Sequence, residues 1–222
     1  HLFSSTMASS VFKIASVPYM LGLSATPDEH PDKFDQIVWW GLGPVIDASC
    51  IEGYEIGNSN FKGTVYKIMY YGSILNTARQ INAKTEMTDN VKTIEMVCND
   101  EERSDIVVEC ITRCLTSNLN TYVFADRKEY LDKIQQKLIK YNKSSIDQVD
   151  MLLTEDDYHR IVGGLKTKQM QSNIIKAEKQ AKIIFTTYQY MGTGKSIPRM
   201  NGLVLATPRK TKLKQYVGRI FR

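Results

Sequence analysis

Residues Lys182 to Arg222 read KIIFTTYQYMGTGKSIPRMNGLVLATPRKTKLKQYVGRIFR, and this stretch decides the fold. It holds two short apolar, β-branched runs, Ile183-Ile184-Phe185-Thr186-Thr187 and Leu203-Val204-Leu205-Ala206. Each is too short and too sharply bounded for a helix, so each reads as a buried strand. A Gly-rich loop with Gly192, Gly194 and Pro198 joins them, and a basic helix follows that closes on Gln215, Gly218, Arg219 and Arg222. In a helix Gln215, Arg219 and Arg222 stand at i, i+4 and i+7, on one face. Guanidiniums on one face suit a polyphosphate, because Arg makes bidentate, charge-assisted hydrogen bonds to phosphate oxygens. A merely solvated basic helix also carries RxxR. The glutamine, the glycine and the strand-loop-strand before them make this pattern more specific.

Working outward, the same alternation recurs upstream. Thr121 to Ala125 reads as a strand, and Arg127 to Tyr141 as a helix buried through Tyr130, Leu131, Ile134 and Leu138. Arg160-Ile161-Val162 is a short strand ending on Gly163-Gly164, and Lys168 to Glu178 a helix. Strand, helix, strand, helix, strand, helix argues an α/β fold, a parallel sheet covered on both faces. Ligands of such sheets bind at the carboxyl ends of the strands. Gly163, Thr187, Gly194 and Pro208 all follow strands and should gather on that edge. Asn99 to Ser117 reads as a helix capped by Asn99, with Glu102 completing a capping box and an apolar face of Val107, Val108, Ile111, Cys114 and Leu115. Thr64 to Tyr71, TVYKIMYY, alternates as a strand does. Asn76 to Thr93 reads as loop with some helix, and Ser144 to Asp157 as an exposed acidic stretch. Nearer the start, His1 to Ser16 reads as a helix ended by Pro18. Tyr19 to Ser24 reads as a strand that turns out at Ala25-Thr26-Pro27, and Gly43 to Ile46 as a short strand. Trp39 and Trp40 read as packing at a domain edge, with stacking on bases as the alternative.

The chain has 222 residues, 42% hydrophobic and 24% charged, which is globular rather than disordered and enough for one domain and part of another. No apolar run approaches a membrane span, and no signal-peptide pattern opens the chain. Net charge is +5, unevenly spread. Arg160 to Arg222 holds 14 Lys and Arg against one acid, Glu178, for +13, while His1 to His159 holds 15 basic and 23 acidic residues, for −8. So one-sided a block is an electrostatic footprint for phosphates, of nucleic acid or of nucleotide. The cysteines, Cys50, Cys98, Cys110 and Cys114, form no CxxC, and with His1, His30 and His159 they offer no zinc spacing. They read as reduced thiols of an intracellular protein, with no metal site.

Gln215 to Arg222, QYVGRIFR, resembles motif VI of superfamily 2 helicases. Thr186 to Pro198, TTYQYMGTGKSIP, resembles their motif V, in the TYxxxxxGxxIP form of many phage and viral DNA-translocating members. Leu21 to Pro27, LGLSATP, resembles motif III, and the strand-helix unit at Thr121 to Tyr141 resembles motif IV. Motifs III, V and VI occur in family order, and the resemblance covers nearly the whole chain. It implies the carboxyl-terminal part of a motor core of two RecA-like domains, acting as an ATP-dependent helicase or translocase on DNA or RNA. The motif V form leans towards DNA and towards a viral source. Residues 1–55 would be the end of the first domain and the crossover, and residues 56–222 the second. Both ends read as cuts in a longer protein, and His1 stands where the last residue of a DExH motif would fall.

The resemblance also implies roles. Arg219 and Arg222 would be arginine fingers, with Gln215 orienting. Gly194 and Ser196 would lie by the nucleotide. Thr187, Gly163, Gly164 and Arg127 would hold nucleic-acid backbone. Ser24, Ala25 and Thr26 would link nucleotide state to the nucleic-acid site. ATP and Mg2+ are the implied cofactors, with the phosphate-binding loop and the magnesium ligands outside these residues, so the fragment alone should not hydrolyse ATP. The family often has Glu-Gly-x-Asp-Ile-Pro, its Asp near the nucleotide sugar; here the run is Thr193-Gly194-Lys195-Ser196-Ile197-Pro198. Gly192 to Ser196, GTGKS, also resembles the end of a Walker A loop. Gln189 stands where that loop needs glycine, Pro198 falls in the first turn of its helix, and LVLAT brings no magnesium-binding Asp. A RecA-like module that binds nucleic acid without a motor role is the alternative reading.

Overall fold

Two strands wholly buried along their length form the centre of the sheet, β1 (Thr121–Ala125) and β3 (Ile183–Thr187). They pair in parallel, Thr121 opposite Ile183 and Ala125 opposite Thr187. β2 (Tyr158–Ile161) adds to β3, and β4 (Gly202–Leu205) to β1, giving a parallel sheet of order β2-β3-β1-β4. The structure is a computed structural model that describes residues 18–22, 41–47, 50, 52, 63–72, 78–144, 153–164, 167–191, 197–209 and 213–220. The chain divides into two units, His1–Lys62 and Gly63–Arg222, and the sheet belongs to the second.

Continuous apolar strands need cover on both faces, and helices supply it. On one face α1 (Asn90–Asn99), α2 (Glu101–Thr116) and α3 (Lys128–Ser144) pack with Val123, Ala125, Ile183 and Phe185. On the other, α4 (Thr167–Gln180), α5 (Tyr188–Met191) and α6 (Leu213–Val217) pack with Tyr122, Phe124 and Ile184. The period-2 alternation of a strand therefore survives inside runs that look uniformly apolar. This is the parallel sheet covered on both faces that the strand-helix alternation leads one to expect. Tyr130, Leu131, Ile134 and Leu138 of α3 are all buried, as their spacing predicts.

The helix expected from Asn99 is two helices that abut. Asp100 is the junction: its N–H closes α1 on the Met96 carbonyl, and its side chain accepts from the Arg103 amide to cap α2. The capping group is thus Asp100, not Asn99, since a helix already running through Asn99 leaves the next residue as the first with free orientation. At the far end of α2, Asn118 takes a left-handed φ of 57°. Leu119 N–H then reaches the Cys114 carbonyl and Asn118 N–H the Leu115 carbonyl, a Schellman closure with asparagine in the usual glycine place. Glu101 ties α2 to α3 through Lys133 (2.8 Å) and Lys137 (2.7 Å), and hydrogen bonds from these two ammoniums pull its carboxyl down to about 2.

Three expected strands are not formed. Residues 63–72 form no strand, and Val65, Tyr66 and Tyr71 are exposed. Residues 43–46 and the described part of the Tyr19 to Ser24 run carry no strand either, with Tyr19, Leu21 and Ile46 exposed. Alternation prepares a strand but a ladder makes one, and none of these finds a partner among the described residues. The acidic Ser144 to Asp157 run also differs from expectation at its end, where Asp157 is buried. The helix expected at His1 to Ser16, Trp39 and Trp40 lie outside the described residues.

Candidate functional site

The carboxyl ends of the four strands lie along one edge because all run the same way. Ala125 and Thr187 are level across β1 and β3, and Ile161 and Thr186 across β2 and β3. Register therefore puts Asp126-Arg127, Gly163-Gly164 and Thr187-Tyr188 side by side. Of the expected nucleic-acid residues, Thr187 is nearly buried, Gly163 half-buried, and Gly164 and Arg127 exposed.

The Gly163-Gly164 turn is held by α3. Lys128 Nζ donates to the Gly163 carbonyl, and Arg160 donates to the Lys128 carbonyl (3.1 Å) while pairing with Asp132. Gly164 has φ +95°, where only glycine sits without strain, and a Cβ there would stand 3.2 Å from Lys128 Nζ. Arg127 opens onto a cavity of about 380 Å³ shared with Glu95, Cys98, Tyr130 and Lys133. Burial pushes the Cys98 thiol up to about 11, so it stays protonated at neutral pH.

At the β1–β4 corner stands a polar cluster. Thr207 Oγ1 donates to Asp126 Oδ2 (2.9 Å) and accepts from the Asp126 amide (3.1 Å). Arg209 Nη1 donates to Asp126 Oδ1 (3.1 Å), and its guanidinium lies 5.3 Å from the centre of the Tyr188 ring. Tyr188 donates its hydroxyl to the Thr207 carbonyl (2.7 Å), and burial pushes its phenol well above the ordinary range. Sequence reasoning passed over Asp126, Thr207, Arg209, Tyr188 and Tyr216. A polar residue directly after a strand was the available signal for Asp126 and Thr207. Their partners are 81 and 83 residues apart, beyond any local pattern.

The basic helix is shorter than its spacing implies. α6 ends at Val217; Arg219 N–H then bonds the Tyr216 carbonyl (3.0 Å) and Ile220 N–H the Val217 carbonyl (3.1 Å). These i to i+3 bonds tighten the turn towards three residues, so Gln215 and Arg219 are not stacked as an ideal α-helix would stack them. Tyr216 anchors the helix. It is buried 5.0 Å from the Tyr188 ring and 5.3 Å from Phe124, and its hydroxyl donates to the Tyr188 carbonyl (3.4 Å). Gln215 and Arg219, both half-buried, are thereby attached beside the strand ends. Gly194, Ser196, Arg222, Ser24, Ala25 and Thr26, and with them the GTGKS run, lie outside the described residues.

The donors present, Gln215 and Arg219, fit phosphate oxygens of ATP. Magnesium does not find a ligand set here: no three His, Cys, Asp or Glu side chains stand together among the described residues. Nor is any described helix long and apolar enough to cross a membrane.

No family model matches the chain. It is 27% identical over 217 residues to "Putative ATP-dependent RNA helicase QP509L" of African swine fever virus, strain Badajoz 1971 Vero-adapted, and 26% identical over 216 residues to the protein of the same name from isolate Tick/Malawi/Lil 20-1/1983. Each match covers 91% of this chain and 38% of the relative, so the chain spans well under half the length of the curated relatives it matches. Among solved structures it is similar to T4 UvsW (TM-score 0.43, 20% identity, 62% of this chain and 26% of that one). It is also similar to the carboxyl-terminal part of the Fun30 ATPase domain (TM-score 0.40, 16% identity, 63% and 47%).

Proposed function

We propose that this chain, which is similar to superfamily 2 helicases over the carboxyl-terminal part of their motor core, is the second half of an ATP-driven motor on nucleic acid. The observation that carries the reading is the Tyr216–Tyr188 contact, which attaches α6 and the turn after it, where Arg219 stands, to the strand-end edge of Thr187 and Gly163. Thr187, the Gly163-Gly164 turn and Arg127 grip phosphates of the strand, a sequence-independent hold. Arg219 and Arg222 stabilise the charge that develops on a phosphoryl group in transfer, and Gln215 orients the attacking water. ATP, when bound, supplies that phosphoryl group. Gly194 and Ser196 serve to bind the nucleotide, and Ser24, Ala25 and Thr26 relay its state. The amino-terminal residues, 1–55, close the first domain and cross into the second. The names of the relatives favour RNA as the strand and a virus as the source.

The test is nucleic-acid-stimulated ATPase of the full-length protein, wild type against Arg219→Ala and Arg222→Ala, with single-stranded RNA and single-stranded DNA. A fall of about 10³-fold or more in stimulated turnover, with affinity for the strand largely kept, is expected of arginine fingers. Greater stimulation by DNA than by RNA would return the choice of strand to what motif V implied. A full-length protein with no stimulated ATPase, whose variants merely bind less tightly, would make the chain a binding module instead.

A further inference from the structure

We infer that Asp126 is a positioning residue that couples the junction of β3 and α5 to helix α6, acting through Thr207, Arg209 and Tyr188. The inference rests on the motor reading and adds to it a residue that touches neither nucleotide nor strand.

Tyr188 follows Thr187 directly, so whatever sets Tyr188 sets the residue assigned to the nucleic-acid backbone. Two groups set it. The Thr207 carbonyl accepts its hydroxyl, and the Arg209 guanidinium lies against its ring. Both groups are held by one carboxylate, since Asp126 Oδ2 accepts from Thr207 and Oδ1 from Arg209. Tyr188 in turn offers its carbonyl to the hydroxyl of Tyr216, between Gln215 and Arg219. Asp126, Thr207, Tyr188 and Tyr216 thus form a continuous path from the end of β1 to α6, which Arg219 follows. The path is close to dry: Thr207, Tyr188 and Tyr216 are each 1% exposed, and the Asp126 side chain 14%. Hydrogen bonds in such surroundings stay strong and directional, so a shift at one end repacks the other rather than being absorbed by water.

Asp126 can serve two donors at once because a carboxylate has two acceptor oxygens. Asn has one, so its amide hydrogens would either face the Arg209 guanidinium, a donor, or turn Thr207 from donor to acceptor, and in both cases the negative charge facing Arg209 is lost. Asp126→Asn therefore weakens the shared hold without changing volume. In the full-length protein we expect Asp126→Asn to keep basal ATPase and single-stranded RNA affinity within about twofold, while the stimulation factor falls about tenfold or more, a typical coupling magnitude. Thr207→Val should reproduce this, and Thr207→Ser, which keeps the hydroxyl, should restore stimulation. The second readout is hydrogen exchange of the amides at 213–220, with and without a single-stranded RNA oligonucleotide. The oligonucleotide should slow exchange in wild type and not in Asp126→Asn.

Stimulation that survives in Asp126→Asn and Thr207→Val overturns the inference and leaves the motor reading standing. A parallel loss of basal rate, affinity and stability in every variant also overturns it, since that marks a purely structural role. A wild type without stimulated ATPase sinks the motor reading alone, and exchange then decides the coupling. Slowing that depends on Asp126 supports it, and equal slowing or none overturns it.

Discussion

Where the strands enter the sheet, the Asp157 carboxylate accepts from the Thr154 amide (2.7 Å) and hydroxyl (3.0 Å) and pairs with Lys182 (3.2 Å). Where they leave, the Asp126 carboxylate holds Thr207 and Arg209. The entering edge continues as a belt. Lys182 N–H bonds the Asp157 carbonyl (3.1 Å), Thr121 N–H the Lys182 carbonyl (2.7 Å), and Asn120 exchanges bonds with Asn201 in both directions (2.8 and 3.0 Å). Every group named in that belt finds a partner within it or in an adjoining loop. The leaving edge instead exposes Arg127 and Gly164, while Lys128 is spent on the Gly163 carbonyl. Both edges use aspartate, so the difference lies in what is left over. The first edge consumes its own donors, and the second leaves the Arg127 guanidinium and the Gly164 backbone exposed. In a parallel sheet the chain arrives at one edge from helix ends and departs at the other into loops, and loops are where ligands can be met.

The largest effect should separate the edges outright. Arg219→Ala is expected to remove about 10³-fold of stimulated turnover while leaving the urea unfolding midpoint where it was. A loss of stability of the same order as that of a belt variant would erase the contrast.

Next comes Asp157→Ala, which leaves the Thr154 amide and the Lys182 ammonium without their acceptor. It should cost about 3 kcal/mol in urea unfolding, with RNA affinity of the folded protein unchanged. A weakened affinity would mean that the entering edge also shapes the site.

Gly202→Ala tests how tightly the belt is drawn. A Cβ there would stand 2.8 Å from Thr121 Oγ1 and 3.3 Å from Leu119 Cβ. We expect a cost of about 1–2 kcal/mol, read as a lower unfolding midpoint at unchanged slope.

The smallest effect is on pH. Burial raises the Asp157 carboxyl, but the Thr154 amide and hydroxyl and the Lys182 ammonium outweigh it and hold it below its ordinary value. Glu101 is pulled from 4.5 to about 2. Both folded values are depressed, so their stabilisation is complete above the ordinary carboxylate range and is lost as pH falls through the depressed values. Unfolding free energy should be level above pH ~5 and decline towards pH ~2. Asp157→Asn should flatten that decline, and salt should shrink the share of Glu101, whose side chain is 67% exposed.

Much of this architecture can be read from local order. The ends of β1 and β3 coincide with the apolar runs at Thr121 to Ala125 and Ile183 to Thr187. Val107, Val108, Ile111 and Leu115 of α2 are buried as their spacing implies, and Cys114 alone of that set is half-buried. Where the pattern misled, a neighbour in space was missing or unforeseen. TVYKIMYY has the alternation but no ladder. Asn99 has the capping chemistry, but α1 already claims it. Thr187 and Gly163 could be assigned to one edge from their places after strands, while Asp126 needed Arg209, 83 residues on, to become visible.

The sequence by itself determined the α/β class, the two-sided cover of the sheet, the basic carboxyl-terminal block and the superfamily 2 helicase resemblance. Those follow from periodicity, charge and short motifs, which act between residues a few positions apart. Only the tertiary structure decided the order β2-β3-β1-β4, the belt at the entering edge and the Asp126–Thr207–Arg209–Tyr188 cluster at the leaving one. Any right-handed strand-helix-strand arrangement satisfies the same local pattern. Which strands become neighbours is chosen by how whole helix and sheet faces fill space against each other, and the polar partners at the sheet edges follow from that choice.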